Sequence, residues 1–482
     1  MSWMSIFTLD FAVVALAIVV LLVDSFFRVP GRVLGWAVAA ALLAVLVASF
    51  VVDVSGQAPG GVYLSGPWVM FFKRVFLVAG LLGVLGAIDW LAQRTPHRQA
   101  EYYALTLFSL AGMMVLPGAR DWILLVLAFE LMGVPLIVLA AWAKQDVTPL
   151  EGPKLAAEAG LKLFVTSAAS SSVTLFGLAL VTGLTGSSAI SAAAGGTVSP
   201  LLGVGMLMVL AGFGFKVGAV PFHLWVPDTY QGAPTPYVAF LSVAPKAGGL
   251  AALAVVLLGG WGTHAGLWGP ALAVISVASM TVGNVFALPQ QDVRRLLGFS
   301  GIAQIGYVLV ALLARTEQGL AMALFFIATY VFTNLGVFLV VHAAAEESGG
   351  HTLSRLVGLS RRNPALGAAL LVFLLSLAGI PFVAGFWAKL FVFLAAWKAG
   401  LGVLVLVGVV LAVVGLFYYL SVARSTFMAE GESSAPVRVG LAVKLAIAVC
   451  LIAVLGFGLW PAPLVEQANH AASAFLQPKS GG

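Results

Sequence analysis

Apolar residues run along this chain in long stretches, and the polar positions fall between them. The stretches lie near 6–26, 32–52, 69–92, 102–118, 121–143, 158–182, 200–232, 236–260, 266–288, 297–314, 318–345, 365–399, 401–427 and 437–460. A hydrocarbon core about 30 Å thick needs about 20 residues of helix to cross it. The pattern therefore predicts an all-α polytopic membrane protein with about fourteen spans. Two stretches exceed one span, and both are interrupted by Gly and Pro. In GFGFKVGAVPFHLWVPDTYQGAPTP, Pro221 follows Lys216 by five residues; in SLAGIPFVAGFWAKLF, Pro381 sits between two glycines with Lys389 just beyond. Proline removes a backbone donor and clashes with the preceding turn, so each helix should break there. A break inside a membrane frees carbonyls that must face protein or water. A pair of such breaks in two halves of a chain points to a transport site.

Composition removes the other classes. The 482 residues are 61% hydrophobic and only 9% charged, against roughly 25% charged in a soluble domain, and the mean hydropathy is +1.09. That excludes an ordinary soluble enzyme and a disordered chain. An outer-membrane barrel would alternate polar and apolar residues in segments of about ten. The single cysteine, Cys450, cannot hold an iron–sulfur centre. The net charge of +6 reports topology. One set of alternate loops carries Arg28, Arg32, Arg94, Arg98, Lys144, Lys154, Arg294, Arg295, Arg355, Arg361, Arg362, Arg424 and Arg438. The opposite set carries Arg120, Arg315, Lys398 and Lys479, with Lys73 and Arg74 just inside a helix end. The first set is cytoplasmic by the positive-inside rule, which puts both termini on the periplasmic side. The first stretch lacks the basic flank of a signal peptide.

The remaining charges fall inside the spans: Lys162, Lys216, Lys246, Lys389 and Lys444, with one acid, Glu130, near the middle of its stretch. An intramembrane charge costs at least about 2.5–3.5 kcal/mol on insertion scales. Lys444 is close enough to a helix end to snorkel. The other four lysines and Glu130 read as a relay, because a buried lysine with adjustable neighbours can load and unload a proton. Ser167, Ser170, Ser171, Thr333 and Asn334 could bridge them through water or simply pack helices. His223, after the first break, could shuttle protons or cap the following half-helix. His97, His342 and His351 have no metal-ligand spacing, and the glycines at 212–214 follow no strand, so they form no dinucleotide fingerprint.

FELMGVPLIVLAAW around Glu130, the segments around Lys216 and Lys389, SVAPKAGG around Lys246 and QDVRRLLGFSGIAQIGY at 291–307 together resemble the antiporter-like membrane subunits of respiratory complex I, and the N-type subunit most of all. The likeness spans roughly residues 100–430. It implies two inverted five-helix repeats with discontinuous seventh and twelfth helices. The organisation would be an N-terminal three-helix segment (1–100), a first repeat (101–260), a second repeat (261–430) and a C-terminal helix and tail (431–482). The family's essential glutamate falls on Glu130 and its channel lysines on Lys162, Lys216, Lys246 and Lys389. Where the family carries histidine, this chain has Gln304. The resemblance further implies no cofactor in this chain, with NAD, FMN, iron–sulfur clusters and quinone in partner subunits. It implies K-type and M-type neighbours, the lateral helix of the L-type subunit as a contact, and the bacterial inner membrane as location. The expected function is proton translocation coupled to quinone reduction elsewhere in the complex. The rivals are a subunit of a multisubunit cation/proton antiporter, which shares the fold, and a scaffold bundle that conducts nothing.

Overall fold

The computed structural model describes residues 3–27, 29–52, 54–145, 153–194, 199–428 and 436–476; Arg28 and Lys479 lie outside them. Helices account for nearly all of it. In chain order they are α1 (Thr8–Phe27), α2 (Gly31–Ala48), α3 (Pro67–Arg94), α4 (Gln99–Val115), α5 (Trp122–Ala140), α6 (Pro153–Thr185), α7 (Pro200–Val217), α8 (Trp225–Gly232), α9 (Thr235–Leu241) and α10 (Ala244–Ala254). They continue with α11 (Ala265–Ala287), α12 (Val293–Leu313), α13 (Glu317–Ser348), the single turn α14 (Leu359–Arg362), α15 (Pro364–Ala378), α16 (Ala384–Lys398), α17 (Gly402–Met428), α18 (Leu441–Leu459) and α19 (Ala462–Leu476). Thirteen helical segments among the described residues are long and apolar enough to span a membrane, and α15 is a shorter apolar helix that stops at the second break. The chain is a multi-pass membrane protein.

Polar residues mark where helices begin. The side chains of Asp121, Ser199, Asp292, Thr316 and Asn363 accept hydrogen bonds from backbone N–H groups in the first turns of α5, α7, α12, α13 and α15, which satisfies donors that have no partner within the helix. The loops that share a predicted membrane side meet. Tyr63 pairs with Ala119 and Asp121 with Ala189 at one end, and Asp292 pairs with Thr352 at the other.

α12 and α13 are buried along nearly their whole length, whereas α1, α2, α6, α17 and α18 expose apolar side chains outward, as lipid contact requires. α7 ends at Gly218, in the left-handed region (φ 75°), and α15 ends at Gly379 (φ 86°). Glycine adopts these angles without strain, so both predicted breaks are present and helix resumes only at α8 and α16. Gly458 lets α18 approach the second break closely. A Cβ there would collide with the Phe382 carbonyl oxygen, and the Trp387 indole donates to the Gly458 carbonyl at 2.7 Å.

A third interruption was not expected. The stretch 236–260 divides into α9 and α10 around Ser242–Val243, with a π-helical turn at Val255–Gly260. α19 is a further unexpected element, burying Leu464, Ala468, Ala471 and Ala472 along one face.

Candidate functional site

Glu130 lies eight residues past the start of α5, about 12 Å along a helix some 28 Å long at 1.5 Å per residue. That helix is pinned from two sides: the Ser109 hydroxyl donates to the Met132 carbonyl at 2.9 Å and the Tyr237 hydroxyl to the Leu136 carbonyl at 2.6 Å. Glu130 accepts a hydrogen bond from Ser171 of α6 at 2.8 Å. Across from it, Lys216 ends α7. The two line one cavity of about 20 Å³ with Phe129, Ser171, Thr174 and Phe213. No hydrogen bond or ion pair joins them among the described residues, and the Lys216 ammonium lies 5.7 Å from the Phe129 ring centroid and 5.9 Å from that of Phe215. Lys216 also borders a second cavity, of about 30 Å³, on the side of Ser167, Leu241 and Pro245. Each volume is on the scale of one or two water molecules, which need roughly 10–15 Å³ apiece by this measure. At the break itself, the Phe215 carbonyl is taken by the Trp225 indole at 3.1 Å.

Lys246 is the third residue of α10, next to Pro245, and is wholly buried. Its ammonium lies 5.7 Å from the Tyr230 ring centroid. A Cβ on Gly301 of α12 would come within 2.7 Å of Lys246 Nζ and 3.1 Å of Tyr330 Oη. Glycine there leaves room for both polar atoms around one point. Lys246 Nζ, Tyr230 Oη, Tyr330 Oη and Asn334 Oδ1 are all buried without a hydrogen-bond partner among the described residues. The Asn334 amide nitrogen donates to Ser242, at the unexpected interruption, at 2.7 Å.

Lys389 lies on α16 and turns back to the second break. Its ammonium donates to the Leu377 carbonyl at 2.7 Å and to the Ala378 carbonyl at 3.1 Å, two acceptors left free where α15 ends. The Gln304 amide donates to the same Leu377 oxygen and to the Tyr419 hydroxyl, both at 3.1 Å. A cavity of about 10 Å³ lined by Gln304, Thr329, Tyr330, Thr333, Ser376 and Lys389 adjoins them. Thr333 and Ser376 hydrogen-bond across it at 3.0 Å. Tyr330 thus borders both the Lys246 and the Lys389 environments.

The other candidates lie apart. Lys162 is half-exposed on α6, paired with Glu158 at 2.6 Å and with Asp228 of α8 at 2.8 Å. Asp228 also binds Arg295 at 2.5 Å. Lys162 therefore belongs to a network of charges that joins α6, α8 and α12, not to the cavities around Lys216. His223 stands in the first break with its Nδ1 buried and unpartnered; its carbonyl oxygen, not its ring, accepts from the Val226 N–H at the start of α8. Lys444 is exposed in the first turn of α18.

Sequence reasoning missed several polar residues. Lys73, expected just inside a helix end, is fully buried and donates to Asp10 at 2.5 Å. Asp228 stood in PDTYQG without an assigned role, and the tyrosines Tyr230, Tyr330 and Tyr419 sit in apolar stretches where hydropathy hides the hydroxyl.

The family described as NADH:quinone oxidoreductase/Mrp antiporter, TM matches residues 119–415. NADH-quinone oxidoreductase subunit N of Desulforamulus reducens is 38% identical over 86% of this chain and 86% of its own. That of Chloroflexus aggregans is 38% identical over 94% of both. A chain of respiratory complex I from Thermus thermophilus superposes with a TM-score of 0.81 at 29% identity, covering 95% of this chain and 99% of that one. A chain of the Mrp complex from Dietzia shares the fold, with a TM-score of 0.86 at 21% identity over 99% of this chain and 98% of that one. On identity, coverage and fold together, the chain belongs to the NADH-quinone oxidoreductase subunit N family, the antiporter-like membrane subunits of complex I.

Proposed function

We propose that this chain translocates protons in the membrane arm of a bacterial NADH–quinone oxidoreductase, through a relay of Glu130, Lys216, Lys246 and Lys389. The observation that carries it is the continuity of buried polar groups. Lys216 borders cavities toward both Glu130 and Pro245, and Tyr330 borders both Lys246 and Lys389. Buried polar atoms almost always have a protein or water partner. The unpartnered atoms around Lys246 are therefore sites for ordered water, which would join the two halves. Glu130 draws or releases charge at Lys216 through the cavity they share. Gln304 holds the Leu377 carbonyl beside Lys389 and orders water without itself titrating. Lys162 and His223 act at the ends of the first half, Lys162 through its ties to Asp228 and His223 through its free ring nitrogen in the break.

The redox chemistry, with NAD, FMN, iron–sulfur clusters and quinone, belongs to partner subunits. K-type and M-type subunits flank this one, and the lateral helix of the L-type subunit runs against it. The two five-helix units, 101–260 and 261–430, are inverted repeats following a three-helix segment (1–100) and preceding a C-terminal helix (431–482), with both termini periplasmic. The chain sits in the bacterial inner membrane. The test is pumping by the assembled complex in vesicles, with the membrane made permeable to protons or to sodium in turn. Acidification abolished only by the protonophore supports this reading; a gradient that survives it and requires sodium supports the antiporter reading.

A further inference from the structure

The cavities along the lysines are about 10 to 30 Å³, but a far larger one, of about 420 Å³, lies away from them. It opens where the turn between α3 and α4 meets the end of α5 and the start of α6. Its two ends differ in chemistry. At one end stand Thr95, Arg98, Trp142 and Lys144; at the other stand Ile137, Val138, Leu161 and Phe164. Arg98 and Lys144 are exposed, and neither makes an ion pair among the described residues. Trp142 is fixed, its indole donating to Thr95 at 3.2 Å and its ring lying edge-on to Tyr102 at 5.5 Å. Leu161, Phe164 and Val138 are 62%, 54% and 46% exposed on the outer face of the bundle.

We propose that this cleft binds an anionic phospholipid. Two exposed cations and a hydroxyl at the level of the helix ends match a phosphate headgroup. The apolar side chains one to two turns further into the membrane match acyl chains. A tryptophan at the boundary is the side chain that favours this depth. The volume falls within the roughly 300–1,000 Å³ of small-molecule sites. Loop charge puts this end at the cytoplasmic leaflet, which is rich in anionic lipid, and basic pockets between spans on that side bind such headgroups. A soluble phosphate would use the cations and leave the apolar end unused, so the lipid accounts for more of the cleft.

The test uses the purified complex containing this chain, in mild detergent, with a phosphatidylglycerol analogue that carries a photoreactive group in its acyl chain. Peptide mapping should find the label on the segments holding Ile137–Ala141 and Leu161–Phe164. Unlabelled phosphatidylglycerol should compete, and phosphatidylethanolamine and millimolar inorganic phosphate should not. Arg98→Ala with Lys144→Ala should weaken labelling by at least about tenfold, since both cations that attract the anionic headgroup are removed. Leu161→Asn should also weaken it, although the charges remain. Labelling unchanged in the double variant, equal competition by phosphatidylethanolamine, or competition by inorganic phosphate would each overturn the proposal. So would an amine-reactive cross-link from Lys144 into a partner subunit that fills the cleft.

Discussion

The two broken helices use one backbone device and finish it differently. Each first half ends at a glycine with positive φ, Gly218 or Gly379, with a proline two or three residues on. At the first break the Phe215 carbonyl accepts from both the Gly218 N–H and the Trp225 indole, and the lysine is left facing two aromatic rings and an acid across a small cavity. At the second break the lysine itself takes the freed carbonyls, with Gln304 sharing one of them, and no acid lines its cavity. Lys216 thus has a carboxylate on the wall of its cavity, the geometry the proposed tuning needs, while Lys389 is held by neutral dipoles. The same break therefore yields a tunable site in one half and an anchored one in the other.

The largest effect should come from separating the tunable pair. Glu130→Gln and Lys216→Ala should each lower pumping and quinone reduction by at least about tenfold, a rise of about 1.4 kcal/mol in the limiting barrier, in a complex that still assembles. If Glu130→Gln pumps normally while Lys216→Ala does not, the acid is not what distinguishes the first break.

Lys389→Ala comes next. It removes both hydrogen bonds at the second break and leaves the Ala378 carbonyl without this donor, a loss of about 1–3 kcal/mol for a buried group. Reduced pumping should therefore be accompanied by a lower unfolding temperature of the assembled complex. Lys216→Ala should lower pumping without that thermal cost, because Lys216 donates to no carbonyl among the described residues. Equal thermal losses in the two variants would erase the contrast between anchored and tunable lysines.

Gln304 should give a smaller and more selective change. Gln304→Leu removes the donor to Leu377 and Tyr419 and should slow turnover severalfold, whereas Gln304→His keeps an N–H donor and should be tolerated. Normal pumping by the leucine variant would reduce Gln304 to a packing contact, worth roughly 0.6 kcal/mol on average in membrane proteins. The smallest effect belongs to Trp225→Phe. It removes the indole donor to Phe215 and should cost about 1 kcal/mol of stability, read as a modest thermal shift with pumping retained. A pumping loss as deep as that of Lys216→Ala would instead make the first break's carbonyl part of the path.

Much of this architecture was written in local pattern. Span number, the two breaks and the buried lysines follow from hydropathy, Gly–Pro placement and insertion cost, because each is a property of neighbouring residues. What pattern could not supply is pairing across the bundle. Lys162 and Asp228 stand 66 residues apart and Lys73 and Asp10 stand 63 apart, so no periodicity links them. The interruption at Ser242–Val243 left a signal that was passed over. Pro245 has no N–H to continue the hydrogen-bond ladder from α9, and it lies in the first turn of α10. α19 was hidden because its buried face is largely alanine, which contributes little to hydropathy contrast.

The central claim is that the lysines carry protons and do not merely hold charge, and Lys246 tests it most directly. It is buried, lies between the two breaks in the sequence, and forms no side-chain hydrogen bond among the described residues that a substitution would break. Arginine keeps the charge but stays protonated, with a pKa above about 12. Proton pumping by the reconstituted complex carrying Lys246→Arg, measured against its quinone reductase rate, should fall at least about tenfold while assembly is preserved. Wild-type pumping by that variant would contradict the relay, because it would show that a permanent positive charge at this position is sufficient.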